Sequence, residues 1–223
     1  MKMNKIRLLL LLLIVAISTG LFLNNYPFAS GFFLVLYILT ALWLLSLAIK
    51  DASIVDIFWG LGFVVLAWWY RVQLGSTDTR SLVLCTMVSI WGIRLSLHLA
   101  VRNLGKPEDY RYQEMRKEAG KNFWWVSLLR VFVLQGFLMW IIAAPLLIAQ
   151  TLPTALTILD WIGVVLFIIG FGFESIGDLQ LQNFKKNLDN KGKVINTGLK
   201  IYNQPPAEAQ KQKKPHQSKA SPK

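Results

Sequence analysis

Two long stretches of this chain contain no charged side chain. They cover residues 8–49 and 131–159, which are 42 and 29 residues long. A helix that crosses a bilayer needs about 20 consecutive apolar residues, whereas a helix at the surface of a soluble protein keeps a polar face. Only 16% of the residues are charged, against about 25% in a typical soluble domain. The sequence therefore predicts an all-α, polytopic membrane helix bundle and excludes a soluble domain or a disordered chain.

Hydropathy along the chain predicts about six transmembrane helices. They cover residues 6–23, 31–48, 54–72, 82–101, 126–150 and 155–176. The first segment has a second interpretation, a signal peptide with a weak cleavage site at Ala16-Ile17-Ser18. Residues 1–199 are predicted to form the bundle, and residues 200–223 a disordered Lys-rich tail that holds too little apolar surface to fold.

The connections between the predicted helices alternate in charge. Six Lys and Arg residues lie in the connection 102–123, whereas the connections 24–30 and 150–154 contain none. Connections rich in Lys and Arg stay on the cytoplasmic side of a membrane. We therefore expect both termini to be cytoplasmic.

The net positive charge of the chain limits the classes of partner that it is expected to bind. Lys and Arg outnumber Asp and Glu by 24 to 12, which suits a membrane surface or an anionic ligand. Nucleic acid is not expected, because no domain with interleaved aromatic and basic residues accompanies the lysines.

The single cysteine, Cys85, excludes an intramolecular disulfide, and no metal site is predicted. The glycine pairs Gly60/Gly62 and Gly170/Gly172 lie inside apolar helices and predict close helix packing rather than dinucleotide binding.

Two predicted helices carry ionisable side chains at helical spacing. The fourth has Arg94, His98 and Arg102 at i, i+4 and i+8, which places them along one helical face. The sixth repeats this spacing with acidic and amide side chains, at Glu174, Asp178 and Gln182. Ionisable residues at membrane depth are costly unless they are paired or line a hydrated cavity.

These two faces have two interpretations. In the first, ion pairs between the helices fix their packing, and the arginines extend towards the headgroups. In the second, the faces line a polar cavity that opens to the cytoplasm, where arginines bind phosphate groups. Asp56 and Gln135 would then belong to the wall of this cavity.

The connection 102–123 also has two interpretations. It contains four acidic and six basic residues, which is typical of a solvated amphipathic helix on the membrane surface. Alternatively it binds phosphate, because Arg111 and Tyr112 are adjacent and Arg116 follows about one turn later. An arginine guanidinium matches phosphate oxygens better than a lysine ammonium does.

Five strings together resemble a known group of membrane enzymes. They are SIVDIFWGLGF (53–63), WGIRLSLHLAVRNLGKPEDYRYQEMR (91–116), VFVLQGF (131–137), GFGFESIGDLQLQNFKKN (170–187) and KGKVINTGL (191–199). In this order they resemble the largely uncharacterised bacterial branch of the steroid 5α-reductase-like membrane reductases. The resemblance implies a multi-helix fold in the bacterial inner membrane. It also implies NADPH-dependent reduction of an activated carbon–carbon double bond in a steroid- or polyprenoid-like lipid.

Matched positions carry the family's site residues onto this chain. The resemblance implies that Asp56, towards the lipid substrate, and Tyr112 are the candidate catalytic residues. The residues that it implies for cofactor binding are Arg94, Arg102, Arg111, Arg116, Gln135, Glu174 and Asp178.

After Leu199 the sequence departs from the family. Family members continue with a Trp, an Arg-His-Pro unit, an Asn-Tyr pair, a Gly-Glu pair and further helices, whereas this chain continues as KIYNQPPAEAQ. In the family this segment supplies cofactor contacts, so the departure suggests a truncated or frameshifted reading frame with reduced or lost activity. Two other interpretations stay open, a membrane methyltransferase of the isoprenylcysteine or phospholipid type and a non-catalytic membrane protein.

Overall fold

The structure, a computed structural model, describes residues 14, 15, 19, 26–103, 105–151, 154–187, 190 and 195. The regular elements among these residues are all helical. They are α1 (Pro27–Ile49), α2 (Ile54–Gln73), α3 (Thr79–Asn103), α4 (Tyr110–Ala119), a 3₁₀ turn (Gly120–Asn122), α5 (Phe123–Ser127), a π-helical segment (Leu128–Val133), α6 (Leu134–Ile142), α7 (Ala144–Ile148) and α8 (Ile158–Lys186).

Helical stretches in the described part of the chain are long and apolar enough to cross a membrane. There are five of them, Pro27–Ile49, Ile54–Gln73, Thr79–Asn103, Tyr110–Ile148 and Ile158–Lys186. They confirm the predicted polytopic helical bundle and contain the last five predicted helices, apart from a few end residues. The first predicted helix (6–23) lies outside the described residues except for Ile14, Val15 and Thr19, and the predicted tail (200–223) lies wholly outside them.

The chain divides into two compact units, Met1–Asp160 and Trp161–Lys223. The first unit contains α1 to α7 and the first turn of α8, and the second contains the rest of α8. In the first unit, the buried apolar core comes from α1, α2 and the segment from α5 to α6. Its most deeply buried large side chains are Val35, Leu39, Leu66, Tyr70, Phe132 and Met139.

Helices α2 and α3 cross at a pair of glycines. A Cβ atom on Gly60 would overlap the carbonyl oxygen of Gly92, and a Cβ on Gly92 would overlap that of Gly60. Gly62 similarly leaves room for the side chain of Met139. The prediction of close packing at Gly60 and Gly62 is therefore confirmed. At Gly170 and Gly172, by contrast, an added Cβ would meet no described atom of the second unit within 4 Å.

The stretch Tyr110–Ile148 is not one regular helix. A π-helical segment, Leu128–Val133, precedes α6, and π turns inside helices are frequent at functional sites. The helix is also interrupted at Ala143, two residues before Pro145, which occupies the first turn of α7. A proline is tolerated there because the first N–H groups of a helix have no intrahelical partner. A proline inside an apolar run kinks or ends a helix, and the break at Ala143 lies beside Pro145.

Helix α8 continues ten residues beyond the predicted end of the sixth span, to Lys186. Hydropathy falls after residue 176, but the polar residues that follow are compatible with a helix. At its start, Asp160 accepts hydrogen bonds from the backbone N–H of Thr157 and from Arg80 Nη2, at 2.6 and 2.7 Å. These contacts cap the first turn of α8 and join it to α3.

Candidate functional site

An open groove in the first unit is charged at one end and apolar along the rest. Its volume is about 490 Å³. The lining residues are Asp56, Trp59 and Phe63 from α2, Trp91, Leu95, Leu99 and Arg102 from α3, Arg111 from α4, and Ile142 from α6. The groove therefore joins three membrane-spanning stretches to the basic connection 102–123.

Asp56 is the centre of the charged end. Its Oδ1 accepts a hydrogen bond from the Tyr112 hydroxyl at 2.7 Å, and its Oδ2 accepts one from Arg111 Nη2 at 2.9 Å. The Asp56 side chain is only 15% exposed, whereas that of Arg111 is 54% exposed. Asp56 lies in the first turn of α2, where the helix dipole also favours a carboxylate.

The tyrosine has a second polar neighbour. Gln135 Nε2, on α6, donates to the Tyr112 hydroxyl oxygen at 3.3 Å. The indole N–H of Trp59 donates to Oε1 of the same glutamine. A chain of hydrogen bonds therefore runs from α2 through α6 to α4 and returns to Asp56 on α2. Because each polar atom in it has a partner, the buried Tyr112 hydroxyl is held in one place.

Helix α4 is held against α1 and α2 by an ion pair. Glu108 receives two hydrogen bonds from Arg116, one from Nε at 3.0 Å and one from Nη2 at 2.8 Å. The same carboxylate accepts the backbone N–H of Ala52, in the connection between α1 and α2, at 2.8 Å. The Arg116 guanidinium also lies 3.9 Å from the ring centre of Phe123. Through these contacts Glu108 and Arg116 fix the position from which Arg111 and Tyr112 reach Asp56.

Asp109 begins α4 and orients Arg111. Its Oδ1 accepts hydrogen bonds from Arg111 Nε at 2.9 Å and from the Arg111 backbone N–H at 3.0 Å. The side-chain hydrogen bond from Arg111 is the largest cause of a lowered pKa for Asp109, and the nearby charge of Arg102 contributes in the same direction. Asp109 therefore stays ionised at neutral pH and holds Arg111 between two carboxylates.

The structure brings together four of the residues implied by the family resemblance. Asp56, Tyr112, Arg111 and Gln135 form one hydrogen-bonded network, and Arg102 lines the same groove. Their roles in catalysis and cofactor binding stay predictions.

The remaining candidates lie elsewhere. Arg116 pairs with Glu108, and Arg94 lines another groove on α3, of about 460 Å³, with Trp68 and Ile90. Viewed along α3, Arg102 points between Trp91 and Leu95, whereas Arg94 points about 60° to the other side of Trp91, which explains why the two arginines line different grooves. Glu174 and Asp178 belong to the second unit, and their predicted meeting with the arginines of α3 stays a prediction.

Sequence reasoning missed several residues of the site, among them Trp59 and Glu108. Trp59 lies three positions after Asp56, and this helical spacing could have placed it on the same face of α2. Glu108 had no such signal, because the chain turns at Asp109 between it and Arg116. Their separation of eight residues therefore follows no helical periodicity.

Comparison with known proteins gives one family. The family described as "Protein of unknown function (DUF1295)" matches residues 42–207. Among curated proteins, an uncharacterized protein of Schizosaccharomyces pombe is 27% identical over 168 residues, which cover 70% of this chain and 48% of that protein. The chain thus spans about half the length of this relative. No solved structure matches the chain.

Proposed function

We propose that this chain, which belongs to the DUF1295 family, is a multi-pass membrane reductase. In this proposal it transfers a hydride from NADPH to an activated carbon–carbon double bond of a steroid- or polyprenoid-like lipid. The family is associated with steroid 5α-reductase-like membrane proteins. The observation that carries the proposal is the contact of Asp56 with both Tyr112 and Arg111, at the charged end of a groove that is otherwise apolar.

The proposed location is a bacterial inner membrane, with both termini in the cytoplasm. The apolar helices are consistent with a lipid bilayer. In this orientation the basic connection 102–123 and the charged end of the groove face the cytoplasm, where NADPH is available. The apolar wall of the groove is formed by the membrane-spanning parts of the helices, where a lipid can reach it.

Arginine side chains at the groove fit a cofactor that carries phosphate groups. Arg111 is more than half exposed although two carboxylates flank it, so a phosphate oxygen can reach its guanidinium. Arg102 is exposed on the same groove. The proposal therefore assigns the phosphates of NADPH first to Arg111, with the other residues implied by the resemblance as further contacts.

The chemistry divides between cofactor and protein. NADPH, when bound, supplies a hydride to the carbon at the far end of the conjugated double bond. Asp56 and Tyr112 together hold one transferable proton, on the hydrogen bond between the Tyr112 hydroxyl and Asp56 Oδ1. This proton balances the hydride when it passes to the substrate. Arg111 donates to the other oxygen of Asp56 and so holds this carboxylate in place.

Ligand-induced stabilisation tests the proposed function. NADPH at about a hundred times its Kd is expected to raise Tm of the purified protein in neutral detergent by roughly 5–10 °C, because a ligand stabilises the folded state that binds it. S-adenosylmethionine under the same conditions should leave Tm unchanged. A rise with S-adenosylmethionine alone would favour a methyltransferase, and no rise with either ligand would favour a non-catalytic protein.

Arg111→Ala is expected to weaken NADPH binding about tenfold or more and NADH binding much less. NADH lacks the 2′-phosphate that the guanidinium would contact, and a hydrogen bond to a charged group contributes about 1.5–3 kcal/mol. The measurement is the Kd of each cofactor, with Arg80→Ala as control, since Arg80 pairs with Asp160 at the opposite end of α3. Equal losses for the two cofactors would remove Arg111 from the phosphate role. Arg116→Ala is measured in the same way. Because Arg116 pairs with Glu108 and positions α4, this variant shows how much of the loss comes from displacing α4 and how much from removing the contact between Arg111 and phosphate.

A further inference from the structure

One face of α3 forms a continuous wall of the groove. Trp91, Leu95 and Leu99 line it at four-residue spacing, and Arg102 follows at the end of the helix. From Trp91 to Arg102 this face extends about 16 Å along the helix axis. A ligand that lies along α3 would therefore have its apolar body on Trp91, Leu95 and Leu99 and its end at Arg102.

Aromatic rings complete the apolar part. Trp59, Phe63 and Trp91 are in contact one after another, with ring centres 5.7 and 5.9 Å apart. Such rings provide a large apolar surface at low cost in side-chain entropy. The wall is suited to a long or flat hydrocarbon body.

The two guanidinium groups at the charged end differ in their carboxylate partners. Two guanidinium groups, Arg102 and Arg111, line the groove with one carboxylate, Asp56. Arg111 is shared between Asp56 and Asp109. Within the described ranges, Arg102 donates from Nε to the Asn103 side chain at 3.1 Å and has no carboxylate at ion-pair distance. Among the described residues, Asp109 is close enough for its charge to interact with that of Arg102 but forms its ion pair with Arg111. An anionic ligand can therefore supply the direct contact that Arg102 lacks.

We infer that the groove binds a membrane amphiphile with a single anionic headgroup, which Arg102 recognises, while its apolar body lies on Trp59, Phe63 and Trp91. This names the substrate class of the groove and rests on the proposed function only in treating the groove as the substrate site. It moves Arg102 from the cofactor side, where the family resemblance had placed it, to the substrate side.

The test compares two ligands of equal chain length, one with an anionic headgroup and one with a neutral headgroup. The purified full-length protein, in neutral detergent at pH 8 and without nucleotide, is titrated with a saturated 16-carbon fatty acid and with the alcohol of equal length. The wild type is expected to bind the acid about tenfold more tightly than the alcohol. Arg102→Gln should remove this preference by weakening the acid alone. Trp91→Ala should weaken both ligands.

Controls separate the inference from its alternatives. Arg130→Gln removes one positive charge from an exposed residue outside the groove and should keep the preference. Equal binding of acid and alcohol by the wild type would overturn the inference, as would a preference that survives in Arg102→Gln. Displacement of the acid by millimolar inorganic phosphate would show a site for free anions and would also overturn it.

The binding of NADPH is tested separately from the preference for the fatty acid. If Arg102→Gln weakens NADPH binding and leaves the acid preference intact, Arg102 belongs to the cofactor side and the inference fails. If NADPH never stabilises the protein but the acid preference depends on Arg102, the proposed reductase function fails and the inference stands.

Discussion

Replacing Gly92 with alanine lowers Tm of the purified protein by about 5 °C or more. The added Cβ would overlap the carbonyl oxygen of Gly60, and a backbone atom cannot rotate away as a side chain can. Helices α2 and α3 would have to move apart, and overpacking of this kind costs about 1–3 kcal/mol or more. Because α2 carries Asp56 and α3 carries Arg102, we also expect binding in the groove to weaken.

A matched glycine controls for the substitution itself. Gly163 lies inside α8, and a Cβ there would meet no described atom of the second unit within 4 Å. Gly163→Ala should leave Tm unchanged or raise it slightly, since alanine is favoured over glycine in a helix by about 1 kcal/mol. Similar losses for Gly92→Ala and Gly163→Ala would contradict the close crossing of α2 and α3.

The membrane-spanning helices were predictable because their signal is local. Charge-free runs such as residues 131–159 have few folds open to them, so hydropathy alone placed the last five predicted helices. Interruptions within a helix were less accessible. The sequence marks one interruption with a proline, Pro145. The π-helical segment before Gln135 has no comparable marker in the sequence.

The candidate site was predictable as a set of residues but not as a geometry. The resemblance named Asp56, Arg111, Tyr112 and Gln135 separately, since each lies in a matched string. Their contact depends on the path of the connection 102–123, which ion pairs between distant residues hold in place. The sequence does not show which acidic residue pairs with which basic residue, because each has several possible partners. These ion pairs could therefore be identified only from the structure.

The face shared by Arg94 and Arg102 shows a limit of spacing arguments. Viewed along α3, Arg102 points between Trp91 and Leu95, whereas Arg94 points about 60° to the other side of Trp91. Arg94 consequently lines one groove and Arg102 another. A spacing of three and four residues in alternation, as from Asp56 to Trp59 and Phe63, stays on one face and does line one groove.

Asp56→Asn is expected to lower the rate of NADPH-dependent lipid reduction by about a hundredfold or more. The substitution removes the charge to which both Tyr112 and Arg111 donate, and the new amide N–H₂ must face one of these donors. The pair then no longer holds a transferable proton in place, and general acid catalysis contributes about 10²–10⁴-fold to rates. Turnover is measured as deuterium transfer from labelled NADPH to α,β-unsaturated steroid and polyprenoid lipids.

Asp160→Asn is the matched control for this change. Asp160 also accepts from an arginine, Arg80, at 2.7 Å, but at the opposite end of α3 from the groove. Both variants replace a paired carboxylate by an amide, so both lose an ion pair, and only Asp56→Asn should lose turnover while Tm changes by similar amounts. If Asp160→Asn loses as much turnover, the loss comes from destabilised packing. If Asp56→Asn keeps its turnover, the reacting proton is held elsewhere, and the hydrogen bonds around Asp56 serve to join α2 to α4.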